Sequence, residues 1–163
     1  MDFFKFACQT GPHSEFEFGI CDDQSGGIAF VDKRDSSKWV AKVKNKDAIP
    51  VIFTAIDKCV IADGELPGRG RCDGMLTADH LLYLVELKDQ RQKWREHAIQ
   101  QLISTIELLV ENEVDLKKYT LKKAFACNRA HPHFVEIDHE LQMRFFRNYG
   151  FRIDIQAEVL ILS

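Results

Sequence analysis

The feature that most constrains this chain is the run Leu81-Leu-Tyr-Leu-Val-Glu-Leu-Lys88. Its first five residues are apolar and suit a strand buried in a sheet. Side chains alternate faces along a strand, so Leu82, Leu84, Glu86 and Lys88 share one face, while Leu81, Tyr83, Val85 and Leu87 share the other. A carboxylate and an ammonium on an otherwise apolar strand are costly to bury unless each has a partner. The acid and the amine therefore want a reason to be there, and Asp73 lies thirteen residues before Glu86. Two strands, about Cys72 to Leu76 and Leu81 to Lys88, are expected to pair around a turn at Thr77 to His80. Asp73 then lies opposite the end that carries Glu86, and two carboxylates converge with Lys88 beside them.

The rest of the chain predicts a mixed sheet with helices packed on it, of α/β or α+β class. Glu15 to Ile20, Ile28 to Val31 and Trp39 to Val43 read as three strands of an N-terminal antiparallel β-meander. Asp47 reads as a helix cap, and Ile49, Ile52, Phe53, Ile56 and Val60 follow the spacing of a buried helical stripe. A long helix is expected from about Gln92 to Val110, and a buried strand over Leu121 to Asn128. Asp138 and Gly150 bracket a further helix, and Phe151 to Leu162 alternates as a closing strand. One domain over residues 1–163 is expected, with the meander in 1–46, a core in 47–128 and a helix and strand in 129–163.

Composition bounds the alternatives. With 163 residues, 45% hydrophobic and 29% charged, the chain suits a globular domain rather than a disordered one. No apolar run approaches a membrane span, and Met1 to Phe6 lack the apolar core of a secretory signal, so a cytoplasmic location is expected. Five scattered cysteines, never spaced Cys-x-x-Cys, argue against a disulfide framework, an iron–sulfur cluster or a zinc ribbon. Cys127, His131 and His133 form at most a partial zinc set, since no fourth ligand is evident. A net charge of −3 excludes a protein coated in basic charge, yet leaves room for a local basic face.

The chemistry follows from the converging acids. Two carboxylates are the hard oxygen ligands that Mg²⁺ or Mn²⁺ prefers, and a nearby lysine can orient a water and neutralise charge developing at a phosphoryl group. No Gly-x-Ser-x-Gly elbow supports acyl transfer, and no Gly-rich loop ahead of a helix supports nucleotide binding.

Asp73, then Glu86-Leu-Lys88 at a strand end, then a helix carrying Gln101-Leu102, resembles the PD-(D/E)XK nuclease superfamily in its exonuclease-like branch. The likeness covers roughly residues 47–128. Thr105 stands where that branch often has an aromatic residue four positions after the glutamine. The resemblance implies a restriction-endonuclease-like core and a metal-dependent nuclease acting on nucleic acid, DNA first, in phage defence or repair. It implies that Asp73, Glu86 and the Leu87 carbonyl hold Mg²⁺ or Mn²⁺. Asp57 (or Glu65) would complete the site, and Lys88 would position the attacking water. It implies further that Gln101 and the basic residues Arg69, Arg71, Arg91 and Arg95, with Lys42 and Lys44, contact nucleic acid, and that the chain works as a homodimer or beside a protein partner.

Each residue also has a plain structural reading. Asp73-Gly74 suits a turn, Glu86 and Lys88 suit a cross-strand ion pair, and Gln101, Asp57 and His97 suit a helix surface. Two rival functions follow: a catalytically silent module on the same fold, or an immunity or adaptor protein acting through a protein partner.

Overall fold

A strand apolar on both faces needs a layer on each side, and Leu81–Lys88 has both. The computed structural model describes residues 1–23 and 25–163. In chain order its elements are β1 (Gln9–His13), β2 (Glu17–Cys21), β3 (Phe30–Asp32), β4 (Ala41–Lys44), β5 (Val51–Ala55), β6 (Gly74–Thr77) and β7 (Leu81–Lys88). There follow α1 (Arg95–Glu111), β8 (Leu121–Asn128), α2 (His139–Tyr149), β9 (Arg152–Ile155) and β10 (Glu158–Leu160). Two mixed sheets form, of order β1-β5-β6-β7-β8-β9 and β10-β4-β2-β3. β7 sits inside the larger sheet, antiparallel to β6 and parallel to β8.

The alternation of β7 sorts its side chains between two cores. Leu82 and Leu84 pack with the α1 residues Ala98, Leu102, Ile106 and Leu109, and with Phe145 of α2. Leu81, Tyr83, Val85 and Leu87 pack with Phe18, Ile20 and Val43 of the smaller sheet. The result is three layers, with helices, large sheet and small sheet in that order. Glu86 and Lys88 therefore face the helical layer, on the side of α1.

Three expectations for the fold need correction. Residues 49–60 do not form a helix. Val51, Phe53 and Ala55 are buried on one face of β5, and the β-branched Val51, Ile52 and Thr54 fit the slot between β1 and β6. The helical stripe at positions 49, 52, 53 and 56 is split by the strand, with Ile49 and Phe53 in one core and Ile56 in the other, and tertiary pairing overrides the spacing.

The N-terminal strands do not form a meander either. β2 is the central one, antiparallel to both β3 and β4. The β3–β4 connection crosses β2 with Trp39 lying over Gly19, where an added Cβ would sit 1.9 Å from the indole ring. Trp39 Nε1 donates to Asp32 at 2.9 Å and holds the crossing in place.

The closing strand is two strands. Phe151, Ile153 and Ile155 enter the helix-side core, whereas Ala157, Val159 and Ile161 enter the other. The chain bends at Gln156 and leaves one sheet for the other, where β10 lies parallel to β4. The expected division at residues 46 and 128 is thereby interleaved. β1 belongs to the large sheet and β10 to the small one.

α2 has the expected Asp138 cap, whose carboxylate accepts from Leu141 N, and it stops at Gly150, whose φ of 72° suits glycine. Among the described residues no helix is long and apolar enough to cross a membrane.

Cys8 and Cys59 form a disulfide, which the scattered spacing does not announce. The pairing of β1 with β5 brings Cys8 to the turn after β5, and 51 residues separate the two in sequence. Closing a loop of that length removes conformational freedom worth about 4 kcal/mol from the unfolded chain. Urea unfolding of Cys8→Ser with Cys59→Ser should therefore show a loss of up to about 4 kcal/mol, with wild type in dithiothreitol behaving alike. Equal midpoints in all three samples would show that the bond constrains nothing.

Candidate active site

The register of β6 on β7 builds the site. Gly74 pairs with Val85, and Asp73 N donates to Val85 O at 3.1 Å, so Asp73 stands across from Glu86. Residues opposed on antiparallel strands share a face. The Leu87 N–H donates to Asp73 Oδ2 at 2.7 Å. A strand residue points its N–H and C=O to the same edge, so the Leu87 carbonyl faces the Asp73 edge as well.

Glu86 is only 4% exposed. Lys88 Nζ lies 3.2 Å from Glu86 Oε2 and donates to His97 Nδ1 at 2.8 Å. The hairpin thus brings Asp73, Glu86 and Lys88 together, and α1 adds His97.

Burial raises both acids. The Asp73 carboxyl is pushed up to about 6, chiefly by loss of water and against the pull of the Leu87 N–H. Glu86 rises well above the ordinary carboxylate range, first through burial and then through the Asp73 charge, with Lys88 only partly offsetting it. Two like charges in a dry place call for a cation. Their oxygens, with the Leu87 carbonyl, form a hard donor set of the kind that a divalent ion completes with water or phosphate.

Among the described residues no group of three or more His, Cys, Asp or Glu gathers around a metal position. The partial zinc set does not assemble. Cys127 is fully buried, its thiol is held far above its usual range by burial, and His131 Nε2 bonds to the Arg91 carbonyl at 2.8 Å.

The chain entering Asp73 is clamped from α1. Thr105 Oγ1 accepts the Cys72 N–H at 2.7 Å and donates to Gln101 O at 2.8 Å, while Ser104 Oγ donates to Gly70 O at 2.6 Å. Thr105, the departure from the exonuclease-like pattern, therefore holds the backbone next to the first acid. Gln101 lies over Gly70, with Oε1 where a Cβ on that glycine would be 2.1 Å away, so it packs on the approach to Asp73. His97, Thr105 and Ser104 carry no motif, and their spacing on a helix face was the only signal that could have found them.

The remaining expected residues separate into two groups. Asp57 is in the turn after β5, not in a helix, and its carboxylate meets Arg71 Nε at 3.0 Å. Its charge still adds a small upward push on Asp73, as does that of Asp22 from the end of β2. Glu65 is spent on its own loop, accepting the Ala62 N–H at 3.0 Å. Arg69 pairs with Glu111 at 3.1 Å, and Arg71 also donates to Glu65 O, so both arginines are committed within the chain. Lys42 and Lys44 stand on β4 within 3.6 Å of Glu17. Arg91 and Arg95 are different. They are exposed, beside the end of β7, and among the described residues neither has an acidic partner within 4.0 Å.

Comparison with protein-family models, with curated proteins and with solved structures gives no match to this chain.

Two outcomes follow from the geometry. An aspartate raised from 3.8 to about 6 costs the fold up to about 3 kcal/mol once both states are ionised. Between those pH values the folded state binds more protons, so stability falls as pH rises through the window. Asp73→Asn keeps an acceptor for the Leu87 N–H, so it should be more stable than wild type above pH 6, with the gain vanishing below about pH 4. Thermal melts across that range check it, and a destabilised Asn variant at neutral pH would contradict it. Thr105→Val leaves the buried Cys72 N–H unsatisfied, and urea titration should show a loss of about 1–3 kcal/mol.

Proposed function

We propose that this chain is a metal-dependent nuclease with a restriction-endonuclease-like core, hydrolysing phosphodiester bonds of nucleic acid. The observation that carries the reading is the buried Asp73–Glu86 pair, opposed across β6 and β7, with Lys88 fixed beside it. A fold seldom keeps two raised carboxyls opposed on one buried face without a use for them, and such perturbed groups often mark reactive sites.

The donor set fits a hard divalent ion, Mg²⁺ or Mn²⁺. When bound, such an ion neutralises the pair and supplies Lewis acidity at a phosphoryl oxygen. Asp73, Glu86 and the Leu87 carbonyl would hold it. Lys88 has three N–H donors, of which Glu86 and His97 take two. The third is left to orient the attacking water or to meet negative charge developing on the phosphate. His97 fixes the direction of that third donor. Gln101 and the α1 hydroxyls hold the backbone at Gly70 and Cys72, just ahead of Asp73, and touch no reacting atom in this reading.

The nucleic-acid contacts fall to Arg91 and Arg95, since Arg69, Arg71, Lys42 and Lys44 have acidic partners of their own. DNA is the favoured substrate, and defence or repair the favoured setting. The expected cytoplasmic location sits against the Cys8–Cys59 bond, because reducing compartments rarely keep such disulfides.

The test is a cleavage panel of linear and circular duplex, single-stranded DNA and RNA, with Mg²⁺ or Mn²⁺ and with EDTA. Wild type should cut only with metal, and Glu86→Ala and Lys88→Ala should each lose at least about 100-fold in rate. An inert wild type, or variants that cut equally well, would remove the catalytic reading and favour a silent module of the same fold.

A further inference from the structure

Beyond the acids, the loop between β7 and α1 and the segment after β8 form one cradle. The Asn128 side chain, fully buried at the end of β8, accepts from Gln90 N at 3.2 Å and donates to Gln90 O at 2.6 Å. Lys88 O accepts the Arg129 N–H at 2.8 Å, and Asn128 O accepts the His131 N–H at 3.0 Å. A carbonyl only accepts, so His131 Nε2 is the donor to Arg91 O, and the imidazole is locked by that bond.

The locked ring lies parallel to Trp94, within 5° and with centroids 6.5 Å apart, and Arg95 sits over the same indole at 5.8 Å. Trp94 is buried, whereas His131 is exposed, so the pair offers an aromatic surface backed by the core. Around it stand Arg91, Lys93 and Arg95, all exposed and with no acidic partner within 4.0 Å among the described residues. Lys93 takes a φ of 56°, a conformation non-glycine residues seldom adopt, which turns the loop at this point.

We propose that this cleft is a subsite for single-stranded nucleic acid, in which one base stacks on the His131–Trp94 pair and Arg91, Lys93 and Arg95 hold the flanking phosphates. Aromatic platforms beside cations suit unpaired strands, because every free base has a face to stack, while a duplex keeps its bases stacked on each other. The inference rests on the nuclease reading and narrows its substrate to strands whose bases are accessible. The cradle hangs on the end of β7, so a bound strand enters beside Lys88.

Binding tests it without cleavage. The full chain in EDTA is titrated against a fluorescein-labelled single strand of ~12 nucleotides and against the same sequence as duplex, by anisotropy at several salt concentrations. The single strand should bind at least about 10-fold more tightly. His131→Ala should weaken it by about 5- to 140-fold, with His131→Phe restoring most of the affinity, since a stacked base is worth about 1–3 kcal/mol. Replacing Arg91, Lys93 and Arg95 together by alanine should lower the salt slope by about 2, near 0.7 for each cation.

Equal or tighter duplex binding overturns the proposal. So does a His131→Ala variant, folded by circular dichroism, that binds the single strand like wild type. The two readings fail separately. A strand that binds here but is never cut leaves the subsite standing without the nuclease, and a duplex cut with no single-strand binding leaves the nuclease without the subsite.

Discussion

The opposition of Asp73 to Glu86 across the β6–β7 hairpin is the constraint on which the rest depends. Ladder bonds set the strand register, and the hairpin turn at residues 78–80 fixes it further through Ala78 N donating to Leu81 O. A slip of a single residue would turn Glu86 toward the core between the sheets, among Phe18, Val43 and Phe125, where no cation could reach it. The same slip would carry Leu82 and Leu84 away from α1. Apolar burial along β7 and placement of the acid are therefore one decision, because the core enforces the register and the register places the charge.

The surrounding layers hold that decision rigid. α1 reaches the large sheet through Leu102, Ile106 and Leu109 and, from the same face, bonds the chain on either side of the acid pair through Ser104, Thr105 and His97. The C-terminal segment ties the two sheets together by crossing from β9 to β10. Its edge at β9 is covered by the Gln142 amide of α2, which exchanges two hydrogen bonds with Ile153 at 2.8 and 2.9 Å. Against this framework the cost of two dry, like-charged carboxyls is tolerated rather than relieved, as is common where function and stability conflict.

Much of this was legible in the residues. The β6–β7 hairpin, α1, β8 and the Asp138–Gly150 helix follow from local signals: apolar alternation, helical spacing, a cap and a stop. The acid pair followed too, since the expected hairpin sets Asp73 across from the end of β7 that carries Glu86. What escaped was non-local. Residues 49–60 carry a helical spacing, and only pairing with β1 and β6 on either side selects the strand. The central place of β2 depends on Trp39 meeting Gly19, which no strand pattern reveals. The Cys8–Cys59 bond and the clamp from Thr105 to Cys72 join positions far apart in sequence, and the pairing of Asp57 with Arg71 needs the turn after β5 to exist. His131 has a metal-like spacing in sequence but meets Trp94 in space.

The central claim is that Asp73 and Glu86 together hold a hard divalent cation beside Lys88. Its most direct measurement is Mn²⁺ binding followed by electron paramagnetic resonance, on wild type and on the Asp73→Asn, Glu86→Gln double variant. The account predicts a single saturable Mn²⁺ site below millimolar concentration in wild type, competed by Mg²⁺ and abolished in the variant while its fold persists. A wild type that leaves Mn²⁺ free at millimolar concentration, or a double variant that binds it equally well, would contradict the account.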